Sequence, residues 1–123
     1  MTQPTRILTV DDSASMRALL LHALTTQGFA VEQAEDGVAA LEWLAAHEVD
    51  VVITDINMPR LDGFGLIEKL RDTARHADRP ILVLTTESSD EKKRRAREAG
   101  ATGWIVKPFD AEKLATAVRR VAH

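Results

Sequence analysis

The chain alternates between short, nearly unbroken apolar runs and longer stretches in which apolar residues return every three or four positions. The apolar runs are RILTV (6–10), FAVEQA (29–34), VDVVIT (49–54), ILVLT (81–85) and GWIVK (103–107). Each is short and rich in β-branched residues, which predicts a strand. After the first, Met16, Leu19, Leu20, Ala23 and Leu24 recur at helical spacing, and Gly28 ends that helix. Asp36 is placed to cap a second helix with Val38, Leu41, Leu44 and Ala45 on one face, and Asp62 a third with Leu66, Ile67 and Leu70. The charged segment SSDEKKRRAREAG (88–100) predicts a fourth helix ending at Gly100. Asp110 caps a fifth with Leu114, Val118 and Val121. NMPRLDG (57–63) is a loop by its Pro, Asp and Gly.

Five strand–helix units in strict alternation, without repeat or linker, predict an α/β fold: a parallel sheet with helices on both faces. Strands 1, 3 and 4 are the most continuously apolar, as interior strands covered on both faces should be. Strands 2 and 5 are more mixed and suit the edges. The expected spatial order is therefore 2-1-3-4-5.

At 123 residues there is room for one domain with one core, and 1–123 is read as a single domain with no further domain after it. With 45% hydrophobic and 28% charged residues, the composition excludes a disordered chain. The absence of cysteine excludes disulfides and thiol chemistry. No apolar stretch is long enough to span a bilayer, and MTQPTRILTV lacks the core of a signal peptide. A cytoplasmic monomer without membrane insertion is the expectation. A net charge of −3 argues against nucleic acid as partner. His22, His47, His76 and His123 show no metal-ligand spacing and read as ordinary surface or boundary residues.

The candidate chemistry lies where the strands end. In LTVDDSASMR, strand 1 runs into two adjacent carboxylates, Asp11 and Asp12, although one acid or Ser13 would suffice to cap the next helix. Strand 3 ends in Asp55, strand 4 in Thr85 and Thr86, and strand 5 in Lys107 before Pro108. Ligands of open parallel sheets sit beyond these ends, at the switch point between strands 1 and 3. Glu35 and Asp36, ending the edge strand 2, are expected to lie too far away to join. Three carboxylates and one ammonium sum to about −2 at their reference protonation states. An oxygen-only donor set of that charge calls for a divalent cation, Mg²⁺ first, with Mn²⁺ or Ca²⁺ as alternatives. A carboxylate beside such an ion can attack a phosphoryl group while a lysine and a hydroxyl stabilise the phosphoryl oxygens.

Asp11-Asp12, Asp55 in TDINMPRLDG, Thr85 in LTTE and Lys107 in KPF together resemble the receiver domain of two-component response regulators, in particular the single-domain CheY type found in chemotaxis. The resemblance covers almost the whole chain and implies the flavodoxin-like (βα)5 three-layer sandwich. It implies that Asp55 is the phosphoacceptor, and that Asp12, Asp55 and the backbone carbonyl of Asn57 ligate Mg²⁺ while Asp11 acts through water. Asn57 and Glu87 would tune the lifetime of the phosphoryl group. A sensor histidine kinase would be the donor, and a face of helix 4, strand 5 and helix 5 would meet a protein target. The protein would be no turnover enzyme, although it assists its own phosphorylation and dephosphorylation. A phosphorelay or kinase-regulating role outside chemotaxis is the alternative. The Lys-Pro bond matches the family's cis peptide.

Trp104 stands at the position of the family's switch aromatic, coupled to Thr85; equally, it reads as an edge-strand residue half covered by a helix. Gly63 reads as a backbone requirement. The mixed charges of helix 4 read as a solvated face, and its apolar side, little beyond Ala96 and Ala99, as one that opens easily. A Mg²⁺-dependent aspartyl-phosphate hydrolase would need room for a cap. A flavodoxin-like nucleotide binder would need a Gly/Ser/Thr phosphate cradle where two acids stand.

Overall fold

The computed structural model describes residues 3–122, so His123 lies outside the described residues. The strands are β1 (Arg6–Val10), β2 (Ala30–Ala34), β3 (Val51–Thr54), β4 (Ile81–Thr85) and β5 (Gly103–Val106). The helices are α1 (Ala14–Thr26), α2 (Gly37–Leu44), α3 (Gly63–Arg71), α4 (Asp90–Ala99) and α5 (Ala111–Val121). All pairings are parallel, in the order β2-β1-β3-β4-β5. The expected α/β class and strand order hold. β3 is shorter than its apolar run: Asp50 stands just before it, where its carboxylate accepts the Arg6 N–H at 2.8 Å and its own N–H donates to Arg6 O at 2.8 Å.

The two-residue period of the strands divides the interior into two cores. Ile7, Val51, Ile53, Leu82 and Leu84 pack with Leu20 and Leu24 of α1 and Leu114 and Val118 of α5. Leu8, Val10, Val52, Ile81 and Val83 pack on the opposite side with Leu44, Leu66, Ile67, Leu70 and Ala96 of α2, α3 and α4. Each fully buried aliphatic side chain contributes roughly 1.5–3 kcal/mol, so this interleaving leaves the central strands little freedom to slip.

The cap residues act as expected. Ser13, not either neighbouring aspartate, caps α1, accepting from Met16 N. Asp36, Asp62 and Asp110 cap α2, α3 and α5, and Ser89 caps α4. α1 ends in a Schellman motif: Gly28, at φ 92°, donates to Thr25 O, and Phe29 donates to Leu24 O.

Three expectations need correction. Leu19 is 57% exposed, because α1 carries leucines on several sides and periodicity alone could not select the buried one. Ala45 is exposed because α2 ends at Leu44 and Ala45 is its C-cap, while Ala40, one turn before Leu44, is buried. His76 is buried, 4% exposed, because the α3–β4 loop folds beneath α2 and its Nε2 hydrogen-bonds to Leu44 O at 3.0 Å.

Only Ala96 of α4 is buried, and polar bonds supplement that thin contact. The Arg71 guanidinium donates to Gly100 O through Nε and Nη2 (3.0 and 2.7 Å) and to Ala77 O and Arg79 O through Nη1 (3.0 and 2.7 Å). Burial of the guanidinium lowers its pKa. Arg71→Met keeps most of the stem but strands these carbonyls. The expected cost is about 1–3 kcal/mol, with faster amide exchange concentrated in the last turn of α4. Uniform acceleration across all helices would refute this local role.

Candidate phosphoacceptor site

The sheet register assembles the site. Val10 pairs with Thr54, so the next residues, Asp11 and Asp55, emerge side by side, and Asp55 N donates to Val10 O at 2.9 Å. Thr85 pairs with Val106, so Lys107 follows immediately beyond β5. Its side chain crosses the end of β4, a span of about two strand spacings or 10 Å from β5 to β3. There the ammonium bonds Asp11 Oδ2 and Asp55 Oδ2, each at 2.8 Å. The peptide from Lys107 to Pro108 is cis.

The carboxylates of Asp11, Asp12 and Asp55 each offer an oxygen within 4.8 Å of the others. Asp11 is buried, 2% exposed, and its Oδ1 accepts from Ser13 N at 2.9 Å. Both of its oxygens are thus engaged. Asp55 is half-buried, and its Oδ1 accepts from Ile56 N at 2.6 Å. Asp12 is exposed. These are hard oxygen donors gathered around a net negative charge, a set that fits Mg²⁺. Burial pushes the Lys107 ammonium toward deprotonation, but its bonds to Asp11 and Asp55 outweigh that and hold its pKa above the usual lysine value.

Thr85 is fully buried, and its Oγ1 accepts from Glu87 N at 3.3 Å. Glu87 links several parts. Its carboxylate accepts from Asn57 Nδ2 at 3.1 Å and pairs with Lys92 Nζ at 2.9 Å, and its carbonyl accepts from the Trp104 indole N–H at 3.1 Å. The Lys92 bond, then the Asn57 bond, hold the Glu87 carboxyl below the usual range. Trp104 is half-buried and packs against the core.

The structure therefore brings together Asp11, Asp12, Asp55 and Lys107, and it ties Asn57, Glu87, Thr85 and Trp104 into an adjoining network. Three participants escaped the sequence reading. Lys92 had only its place one turn inside α4 to mark it. Arg17 donates to Asp11 O at 2.7 Å, and its one signal was its position in the first turns of α1. Arg60 reaches Asp36, which stays outside the carboxylate cluster but is bound to the loop after Asp55. No local pattern marks that pair.

A carboxylate cluster with one bound lysine at the switch point of a 2-1-3-4-5 sheet is the arrangement of a phosphoryl-accepting signalling domain. The family model for the response regulator receiver domain matches residues 7–119, and the chain belongs to that family as a CheY-like receiver domain. It is similar to the response regulator MprA of Mycobacterium sp. (strain KMS), with 42% identity over 116 residues, covering 94% of this chain and 50% of MprA. The chain spans about half the length of the curated relatives it matches. Among solved structures it is similar to the chemotaxis response regulator CheY4 of Vibrio cholerae, with 43% identity, a TM-score of 0.91, and coverage of 97% of this chain and 99% of that one. The signal receiver domain of a signal transduction histidine kinase from Syntrophus aciditrophicus gives 31% identity, a TM-score of 0.89, and coverage of 96% and 89%. Among the described residues no helix is long and apolar enough to cross a membrane.

Proposed function

We propose that Asp55 accepts a phosphoryl group from a phosphohistidine of a sensor kinase or from a small phosphodonor. The observation that carries this reading is the convergence of Lys107 on Asp55 and Asp11 within the three-carboxylate cluster. A carboxylate oxygen of Asp55 forms the new P–O bond as the donor's P–N bond breaks, and the electron pair stays on the imidazole nitrogen. In this reading Lys107 neutralises a phosphoryl oxygen, and Thr85 donates its hydroxyl to another. Asp12, Asp55 and the Asn57 carbonyl would hold Mg²⁺ directly, with Asp11 through water, and an ion held there would neutralise charge on the phosphoryl oxygens.

Phosphorylation draws Thr85 toward the site and shifts a pre-existing equilibrium. The bond network from Thr85 through Glu87 to Trp104 and Lys92 supports transmission to α4 and β5. A groove of 260 Å³ between those elements, lined by Lys93, Ala96, Arg97, Gly103 and Trp104, supports the α4–β5 part of the α4–β5–α5 face as the surface for a downstream protein. The likeness to CheY4 favours chemotaxis as the pathway; a phosphorelay is the alternative. The chain acts as one receiver domain, monomeric and cytoplasmic, with Asn57 and Glu87 setting the phosphoryl lifetime.

The test is intact-protein mass after incubation with a small phosphodonor and Mg²⁺. Wild type is expected to gain one phosphoryl group. Asp55→Asn, or chelation of the metal, is expected to abolish the gain; normal uptake by Asp55→Asn would remove the assignment.

A further inference from the structure

The loop from Ile56 to Gly63 follows the phosphoacceptor directly and is closed at its neck by a bond from Gly63 N to Ile56 O at 2.9 Å. At its tip, Arg60 has φ 67°, and Leu61 N donates to Pro59 O at 2.7 Å. A positive φ at the centre of an i to i+2 hydrogen bond is the strained form of the γ-turn, rare for a residue with a side chain. Such a conformation persists only where the surroundings impose it, and it concentrates at functional sites.

Here the surroundings are the start of α2. The Arg60 guanidinium makes a fork to the buried Asp36 carboxylate, Nε to Oδ2 at 2.7 Å and Nη2 to Oδ1 at 3.0 Å. Asp36 is itself immobilised, 3% exposed and capping α2 through Ala39 N at 2.8 Å. One residue on, Gly37 N donates to Leu61 O at 3.2 Å, and a Cβ on Gly37 would come within 2.6 Å of that oxygen. The β2–α2 corner therefore grips both sides of the turn. Asn57, whose carbonyl belongs to the proposed metal shell, lies in the same closed loop.

We infer that Asp36 and Arg60 form a positioning pair that holds the Asn57 segment in the shape required for Mg²⁺ binding. This rests on the reading of the Asp55 cluster as a Mg²⁺-dependent phosphoacceptor site. Neither residue touches the ion or the phosphoryl group. The pair acts by fixing the backbone that supplies a ligand, as an outer-shell partner fixes a ligating side chain. The fork requires arginine, because a single ammonium cannot set both oxygens of Asp36.

The experiment is calorimetric titration of the unphosphorylated protein with Mg²⁺ alone, beside thermal melts in EDTA. Asp36→Asn keeps a capping side chain and Arg60→Gln keeps the stem, so both variants are expected to fold. Each is expected to weaken Mg²⁺ binding about tenfold, the usual effect of losing an outer-shell partner. The double variant is expected to bind no worse than either single one, because the two residues act as a unit. Arg60→Gly, which relaxes the turn without restoring the fork, is expected to bind as weakly as Arg60→Gln. Lower melting temperatures with Mg²⁺ affinity within twofold of wild type would overturn the proposal, leaving the pair a structural tie. Wild-type affinity in Arg60→Gly would overturn it as well. Wild type that bound no Mg²⁺ would instead overturn the site reading and this proposal with it.

Discussion

Gly63→Ala is expected to destabilise the protein by about 3 kcal/mol or more, the upper end of what overpacking costs, because the obstructing atoms are backbone. An added Cβ would lie 2.8 Å from Ile56 Cα and closer still to the Asp55 carbonyl oxygen. That backbone cannot retreat. Asp55 is tied to Val10, and Ile56 O accepts the Gly63 N–H. Relief requires displacing the segment that carries Asp55, the proposed phosphoacceptor, so phosphoryl uptake should fall together with stability. Gly65→Ala, in the same helix, is the control. Its new Cβ would meet chiefly Leu61 Cδ1 at 2.6 Å, the mobile end of a side chain. Alanine also gains about 0.5–1 kcal/mol over glycine within a helix. Denaturant unfolding of the two variants should therefore differ widely, and equal midpoints would show that the α3–loop contact is not the constraint described.

Lys107→Met is expected to cost about 3–5 kcal/mol when measured without divalent ions, the penalty for removing one partner from a buried ion pair. The Lys107, Asp11 and Asp55 side chains are 10%, 2% and 12% exposed, so water cannot replace the ammonium cheaply. Mg²⁺ should recover most of that loss, and it should raise the melting temperature of the variant more than that of wild type, since no ammonium would then bond the Asp11 and Asp55 carboxylates. The pH dependence follows from the direction of the lysine shift. Its folded pKa lies above the ordinary 10.5, so its stabilising contribution is complete below that value and disappears as pH rises through the higher folded value. The gap between wild type and variant should thus stay constant through neutral pH and narrow only in strong alkali. A variant as stable as wild type in EDTA would mean that the ammonium does not hold the carboxylates together.

The five strands and five helices were legible because their signals are local. Apolar runs, helical periodicity and capping residues each act within a few positions, and they pointed to the same boundaries. The edge assignment of β2 and β5 followed from their mixed composition. The rim residues were legible for a related reason: a residue that ends a strand in a parallel sheet has few places to go. Where the signal was degenerate, the reading failed. α1 is apolar on several sides, so Leu19 looked as buried as Leu20. His76 sits among polar neighbours in a loop, and nothing nearby announced that Leu44 would cover it.

By itself, then, the sequence determined the element order, the sheet order and the identity of the chemical groups at the carboxyl ends of the strands. The tertiary structure alone decided which of those groups touch. Lys107 spans the end of β4 to reach Asp11 and Asp55, separated from it by 96 and 52 positions. Arg60 meets Asp36 only because the β2–α2 corner comes against the loop after β3. Such contacts depend on strand register, side-chain reach and the rotation of each helix. These are set by packing across the whole domain, and no local stretch of chain encodes them.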